Sequence, residues 1–262
     1  MSFDWRTATD AEVDLQYSPS RFGLRSLDHY LAEYRTLSAP WAGRDLVAPG
    51  APLLVYVHGG YWQRLSAADS LFNAADAGQL GFSLHATEYV LAPHASVEEI
   101  VQECIGDVVR TLDRARAPRV ALAGCSAGAH LATMVAMAPQ LAGRIGMTVL
   151  LSGIYDLRPV VRIGDNAALG LDEHRAAALS PALLPHVSYA PRAVVAVGRH
   201  EPAEFVRQSR EYAQQLRDNS VATVDAVVDD RDHFNLPYDI LRAGTFVGDH
   251  VVSYLSNGDG TR

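Results

Sequence analysis

Short, unbroken apolar runs that alternate with longer helical stretches are the feature that most constrains how this chain folds. Each run is only a few residues long and contains mainly Val, Leu and Ala. Continuous runs of this length are typical of strands that are buried on both faces of a parallel sheet. The runs lie at residues 53–57, 82–86, 120–123, 148–151, 193–197 and 223–228.

The stretches between these runs have the length and pattern of helices, at residues 67–79, 96–116, 127–137, 204–217 and 238–256. Right-handed crossovers between parallel strands then give a doubly wound, mostly parallel α/β sheet flanked by helices. The 262 residues are enough for one large core, so we expect a single domain over 1–262. Two segments are less regular. We expect residues 1–50 to add edge strands or a small lid helix, and roughly residues 158–191 to form a lid-like insertion.

Ligand sites in such sheets lie beyond the carboxyl ends of the strands, so the residues after each run are informative. The run at 120–123 is followed by Gly124-Cys125-Ser126-Ala127-Gly128, and a helical stretch comes next. This G-x-S-x-G pattern is typical of a nucleophile elbow, in which small neighbours relieve the crowding of a strained strand-to-helix turn. The sequence therefore predicts an α/β-hydrolase fold with Ser126 as nucleophile. We expect Cys125, one position from the apex, to be a small packing residue.

The run at 53–57 is followed by His58-Gly59-Gly60-Tyr61-Trp62-Gln63. Consecutive glycines allow a sharp turn that aims backbone N–H groups at a ligand, and this loop supplies part of the oxyanion hole in the fold. We predict that the hole is formed by N–H groups from the loop and from the residue after the nucleophile, at Gly59, Gly60, Tyr61 and Ala127.

Triads of this fold run nucleophile, acid, histidine along the chain, and the last two runs supply the remaining members. Gly198-Arg199-His200-Glu201 follows one run, and Asp229-Asp230-Arg231-Asp232-His233 follows the next. We predict Glu201 as the acid and His233 as the general base, with Glu204 and Asp229 as competing acids. We expect Asp230 and Asp232 to be solvated turn residues. Among the remaining histidines, we expect His58 and His130 to support the site through hydrogen bonds.

Composition excludes several other classes of protein. The net charge of −8 disfavours nucleic-acid and anionic-membrane partners, both of which require a basic face. The two cysteines and the polar N-terminus predict a cytoplasmic protein with reduced thiols. No spacing typical of metal ligands and no dinucleotide-binding fingerprint is present, so we expect neither a metal nor another cofactor. The partner is then a small-molecule substrate. The oligomeric state stays open, with a homodimer as one option.

With these residues in place, the chain resembles the kynurenine formamidase (arylformamidase) family of α/β-hydrolases over most of its length. Tyr61 stands where related lipases and esterases more often have a third glycine, so the oxyanion loop is the more specific of the shared motifs. The motifs that carry the resemblance are Gln16-Tyr17-Ser18-Pro19-Ser20-Arg21, the 58–63 loop, Tyr89-Val90-Leu91-Ala92-Pro93, Ser126-Ala127-Gly128-Ala129-His130, Ser152-Gly153-Ile154-Tyr155-Asp156-Leu157, the stretch from Glu201 to Ser209, and His233-Phe234.

The resemblance implies cleavage of an N-formyl arylamine such as N-formyl-L-kynurenine through an acyl-enzyme. The aromatic side chains expected to wall the pocket and contact the aryl ring are Tyr61, Trp62, Tyr155 and Phe234; core packing is the alternative reading of these rings. The chain departs from the family pattern at two positions. The family usually has His where this chain has Cys125, and it usually has Asp where this chain has Glu201.

Two other functions remain open at this stage. A carboxylesterase for small aryl or acyl esters needs the same machinery with looser specificity. A ligand receptor without catalytic activity on the same scaffold typically lacks the nucleophile or the histidine, and here Ser126, Glu201 and His233 are all present.

Overall fold

A computed structural model describes residues 3–185 and 190–257, and its centre is a six-stranded sheet. The spatial order is β2-β1-β3-β4-β5-β6, and every neighbouring pair is parallel. The strands are Leu53–Val57 (β1), Ser83–Thr87 (β2), Val120–Cys125 (β3), Met147–Leu151 (β4), Arg192–His200 (β5) and Ala222–Asp232 (β6). The doubly wound α/β sheet expected from the apolar runs is confirmed.

Helices cover both faces of this sheet. In β1, Leu53, Val55 and Val57 pack on one side, whereas Leu54 and Tyr56 pack on the other. The first side is covered by α1, α4, α5 and α8, and the second by α2, α3 and α9. The helices are Asp10–Gln16 (α1), Leu27–Ser38 (α2), Ala74–Leu80 (α3), Val97–Ala115 (α4), Ala127–Ala136 (α5), Asn166–Leu169 (α6), Glu173–Ala178 (α7), Ala203–Asp218 (α8) and Phe246–Asn257 (α9).

Two expected helices are shorter than the sequence pattern indicated. Residues 67–73 form turns, because the side chains of Ser66, Asp69 and Ser70 hydrogen-bond locally and compete with a helical backbone. The last helix begins at Phe246 instead of near residue 238, since Pro237 lies in a short 3-10 turn and Gly244 has a φ of +78°. No described helix is long and apolar enough to cross a membrane.

The two irregular segments contain helices and turns. In the described part of residues 1–50 no strand is present, so the alternative of edge strands is wrong and the segment contributes α1 and α2. Residues 158–185 form short turns together with α6 and α7, and residues 186–189 of the expected lid lie outside the described residues. Its role as a lid stays a prediction.

Candidate active site

The elbow at Ser126 is held in a conformation that few residues adopt. Ser126 has φ 60° and ψ −125° and lies between β3 and α5, and its N–H donates to Leu151 O at 2.9 Å. A Cβ on Gly124 would collide with the carbonyl of Gly128, and a Cβ on Gly128 would collide with the carbonyl of Val57. Both glycines of the motif are therefore required by close backbone packing, which fixes the serine at the carboxyl end of the sheet.

The loop after β1 packs directly against this serine. A Cβ on Gly59 would lie 2.7 Å from Cys125 O and 3.3 Å from Ser126 Cβ, so only glycine allows the approach. Gly60, Tyr61 and Trp62 follow with φ values of 97°, 53° and 57°. Non-glycine residues rarely adopt such values, and strain of this kind persists only where the surroundings enforce it.

Backbone N–H groups beside Ser126 are left without partners. Among the described residues, the N–H groups of Gly60, Tyr61 and Ala127 have no hydrogen-bond acceptor. Ala127 is the first residue of α5, and the N-terminus of a helix carries a partial positive charge. Unpaired donors of this kind are what an oxyanion hole needs.

Buried polar contacts hold the oxyanion loop from behind. Tyr89 donates to the carbonyl of His58 at 2.9 Å, and its ring stacks on the His58 imidazole at 4.2 Å between centroids. The N–H of Ala92 donates to Trp62 O at 2.8 Å. The motif from Tyr89 to Pro93 thus supports the loop. His130, in α5, donates Nε2–H to Leu179 O at 2.8 Å. The His58 imidazole makes the expected kind of bond, with Nδ1 3.0 Å from Gly59 O in the loop, whereas the bond of His130 is to a residue outside the site loops.

A buried carboxylate–imidazole pair lies at the ends of β5 and β6. The Nδ1 atom of His233 is 2.7 Å from Glu201 Oε2, and both side chains are almost fully buried. The other carboxylate oxygen, Oε1, accepts hydrogen bonds from the Ser152 hydroxyl at 2.6 Å and from the Gly198 N–H at 2.7 Å. With Nδ1–H donated to Glu201, neutral His233 keeps the lone pair on Nε2 for a proton from another group.

Glu201 is the only one of the three candidate acids that contacts His233. Glu204 is buried but pairs with Arg207 at 2.6 Å. Asp229 is exposed and forms an ion pair with Arg199. Within the described residues the Ser126 hydroxyl makes no hydrogen bond, as is common before a substrate tightens such contacts.

The expectation for Asp232 is wrong. Its side chain is fully buried and accepts hydrogen bonds from the N–H groups of Leu24, Phe234 and Asn235 at 2.6–3.0 Å. It also accepts the hydroxyl of Tyr30 at 2.7 Å. Asp232 therefore ties the turn that carries His233 to the N-terminal helices. Asp230 is exposed as expected, but it lies within β6 and not in a turn.

Cys125 fits the packing role expected for it. Burial raises the pKa of its thiol well above the ordinary value, and the nearby Glu201 carboxylate adds to the effect. A neutral thiol is a poor nucleophile. Its Sγ lies 3.6 Å from the carbonyl of His233 and so contacts the turn that carries the imidazole.

The four aromatic residues expected to wall the pocket occupy two different environments. Trp62 and Tyr155 are 0% and 1% exposed, because Trp62 packs edge-on against His130 and Tyr155 stacks on Tyr212. These two belong to the core, which corrects the expectation that they contact substrate. Tyr61 in the oxyanion loop is also buried, at 8% exposed, and its hydroxyl donates to the carbonyl of Tyr17. Phe234 alone of the four is half-buried, beside His233.

Ser152 was not among the site residues predicted from the sequence, and the buried position of Asp232 was not predicted either. Ser152 directly follows β4, at the same sheet edge as the other site residues, and its motif was already visible. Asp232 gave no local signal, since its partners Leu24 and Tyr30 are some two hundred residues away along the chain. In residues 3–185 and 190–257, no three His, Cys, Asp or Glu side chains cluster as metal ligands.

A parallel sheet with a strained serine elbow, free N–H groups and a carboxylate–histidine pair at one edge defines the class of α/β hydrolases. Residues 54–235 match the family with the α/β hydrolase fold. Two solved structures have the same fold. A candidate thioesterase from Silicibacter sp. aligns with TM-score 0.80 and 22% identity over 92% of this chain and 98% of its own. The carboxylesterase EstE1 from a metagenomic library aligns with TM-score 0.68 and 18% identity over 97% and 98%.

Similar proteins of known function identify the family within this class. Kynurenine formamidase of Danio rerio is 30% identical over 89% of this chain and 92% of its own length. The Salmo salar protein of that name is 30% identical over 88% and 92%. The chain belongs to the kynurenine formamidase family of α/β hydrolases, and it is an arylformamidase-type hydrolytic enzyme. The resemblance noted from the motifs is confirmed, and the receptor alternative is set aside.

Proposed function

We propose that this enzyme hydrolyses the formamide bond of N-formyl arylamines, with N-formyl-L-kynurenine as reference substrate, through Ser126, His233 and Glu201. The observation that carries the proposal is the buried Glu201–His233 hydrogen bond of 2.7 Å, next to the Ser126 elbow in a chain of this family.

In the first half of the reaction, Ser126 Oγ attacks the formyl carbon while His233 Nε2 takes the hydroxyl proton. Glu201 holds the imidazole through Nδ1 and stabilises its positive charge. The oxyanion is held by the free N–H groups of Tyr61 or Gly60 and of Ala127. When the C–N bond breaks, His233 gives its proton to the arylamine nitrogen, and a formyl ester of Ser126 remains.

In the second half, water attacks the formyl ester and gives a proton to His233. The second tetrahedral intermediate collapses as His233 returns the proton to Ser126 Oγ, and formic acid leaves and releases its own proton to solvent to give formate. Formyl is the smallest acyl group, and the close approach of Gly59 to Ser126 fits a small group on that side.

A substrate panel tests this proposal. We expect kcat/KM to be highest for N-formyl-L-kynurenine, measurable for formanilide and lower for p-nitrophenyl acetate. The Ser126→Ala variant should lose turnover of all three and keep the wild-type circular dichroism spectrum. If only the ester is hydrolysed, the enzyme is a carboxylesterase with the same machinery, and the formamidase proposal is lost.

A further inference from the structure

The side chain of Tyr61 runs from the oxyanion loop into the interior of the protein. It is 8% exposed, and its hydroxyl donates to the carbonyl of Tyr17, just after α1. Burial raises the pKa of this hydroxyl well above the ordinary value, so the group stays protonated and remains a donor. One buried hydrogen bond thus attaches the loop after β1 to the N-terminal segment.

The residue that accepts this bond is itself fixed to the rest of the protein. Tyr17 caps the C-terminus of α1, and its N–H donates to carbonyls of that helix. Its hydroxyl lies 2.7 Å from Gln208 Nε2 and 3.2 Å from Glu204 Oε1, and all three side chains are buried. Gln208, in α8, also accepts the N–H groups of Tyr155 and Asp156 at 2.7 and 2.8 Å. Tyr17 is therefore a rigid support for the loop.

The backbone that this bond holds is strained. Gly60, Tyr61 and Trp62 have positive φ values in succession, and a Cβ makes such values unfavourable. A glycine in place of Tyr61 would adopt the same φ without a steric penalty. The tyrosine supplies instead a side chain that fastens the strained loop to a fixed point.

Fixing the hydroxyl of Tyr61 also restricts its backbone N–H. A tyrosine has only two side-chain torsions, so a hydroxyl held at the Tyr17 carbonyl limits where the Cα and the adjoining N–H lie. Neither this N–H nor that of Gly60 has an acceptor among the described residues. Both belong to the loop whose Gly59 packs against Ser126.

We propose that the Tyr61 hydroxyl is a positioning group, which anchors the oxyanion loop to the Tyr17 carbonyl and holds the N–H groups of the loop towards the oxyanion. The inference rests on the oxyanion hole of the proposed function. Tyr61 acts through its backbone, and its buried ring is not a substrate contact. Donors that are already oriented when negative charge develops stabilise the transition state more than the ground state.

Tyr61→Phe tests this role, because it removes the hydroxyl and keeps the ring in the core. With p-nitrophenyl acetate we expect kcat to fall about tenfold and KM to stay within about twofold, since acylation and deacylation use the same oxyanion hole. Deleting an oxyanion donor costs about 10²–10³-fold. The loss here should be smaller, because the hydrogen bond from Ala92 N–H to Trp62 O still holds the loop.

A transition-state analogue gives a second readout. Phenylboronic acid forms a tetrahedral adduct with a catalytic serine, and one of its oxygens then occupies the oxyanion hole. Its inhibition constant should rise in Tyr61→Phe by about the same factor as kcat falls. A loss of stability alone would not move this constant in a protein that remains folded.

Tyr238→Phe is the matched control. The Tyr238 hydroxyl also makes a hydrogen bond, to Glu33 at 2.8 Å, but its ring packs on the other side of the sheet. This variant should keep kcat and the inhibition constant within about twofold of wild type. If Tyr61→Phe behaves like the control, the anchor is wrong. A raised KM with unchanged kcat would make Tyr61 a substrate contact and would also overturn it.

Tyr17→Phe tests the anchor from its other end. It keeps the carbonyl but removes the hydroxyl that binds Gln208 and Glu204, so we expect kcat to fall about threefold. Combined with Tyr61→Phe it should lower kcat no further, since the bond that it supports is already absent. Unchanged kcat in Tyr17→Phe, or losses that multiply in the double variant, would overturn the anchor.

The choice of an ester keeps this test separate from the formamidase proposal. If wild type hydrolyses p-nitrophenyl acetate but no formamide, the proposed substrate is wrong, and the comparison of Tyr61→Phe with Tyr238→Phe still decides the anchor. Formanilide gives the same comparison if the ester is not turned over. The two proposals can therefore fail independently.

Discussion

At the residue scale, the two carboxylate oxygens of the buried Glu201 make different hydrogen bonds. Glu201 Oε1 is held by the Ser152 hydroxyl and the Gly198 N–H, which leaves Oε2 for His233. Glu has a longer side chain than Asp, and the hydrogen bonds from Ser152 and Gly198 fix the position of its carboxylate beside His233. The orientation of His233 therefore depends on β4 and β5 together.

We expect Glu201→Gln to lower kcat by about 10⁴-fold, the scale seen when a triad acid becomes an amide that holds the wrong imidazole tautomer. Steady-state kinetics with a formanilide measures this loss. Asp229→Asn is the control, since an exposed ion pair contributes only about 0–1 kcal/mol and Asp229 does not contact His233. Equal effects of the two substitutions would remove Glu201 from the mechanism.

At the scale of elements, the elbow depends on backbone-to-backbone packing between β1, β3 and α5. The place where a helix follows a strand could be predicted from pattern, because G-x-S-x-G separates an apolar run from a helical one. The contacts of the N-terminal segment with the site loops could not be predicted, since they link Tyr17 and Leu24 to residues far along the chain. Long-range pairs of this kind leave no local periodicity.

Gly128→Ala should destabilise the protein by at least about 1–3 kcal/mol, because its Cβ would overpack against the carbonyl of Val57 and the backbone of His58. Gly78→Ala in α3 is the matched control, as a Cβ there meets nothing within 4 Å. It should be neutral or stabilising by up to about 1 kcal/mol. Thermal unfolding of both variants measures the difference, and a stable Gly128→Ala protein contradicts the elbow packing.

At the scale of the whole molecule, the apolar runs were sufficient to predict a doubly wound, mostly parallel sheet with the site at the carboxyl ends of its strands. The spatial order of the six strands comes from the structure alone. The apolar runs were insufficient for residues 158–185, where short turns follow one another without a repeating pattern. The positions of Trp62 and Tyr155 could not be predicted either, because the sequence does not distinguish an aromatic side chain that lines a pocket from one that is buried in the core. Cytoplasmic location and a homodimer stay predictions.

The stability of the whole chain should fall in mild acid because of His130. Burial lowers its pKa from 6.5 to about 4. The unfolded chain then binds the proton first, and stability is lost as pH falls from about 6.5 towards 4. At pH 5 the loss is on the order of 2 kcal/mol relative to pH 7.

Urea unfolding at pH 7 and pH 5 measures this dependence. His130→Gln keeps an N–H donor for Leu179 O and removes the titration. Its free energy of unfolding should change less between the two pH values than that of wild type. The same pH dependence in both proteins would contradict the assignment to His130.

The most direct test of the proposed mechanism is mass spectrometry of the enzyme, acid-quenched during turnover of a formanilide. We predict a formyl group on the peptide that contains Ser126 in wild type, and none in Ser126→Ala. Trapping should be strongest at early times, because water removes the formyl group in the second step. Rapid turnover with the formyl group on another residue, or an unchanged rate in Ser126→Ala, would contradict the account.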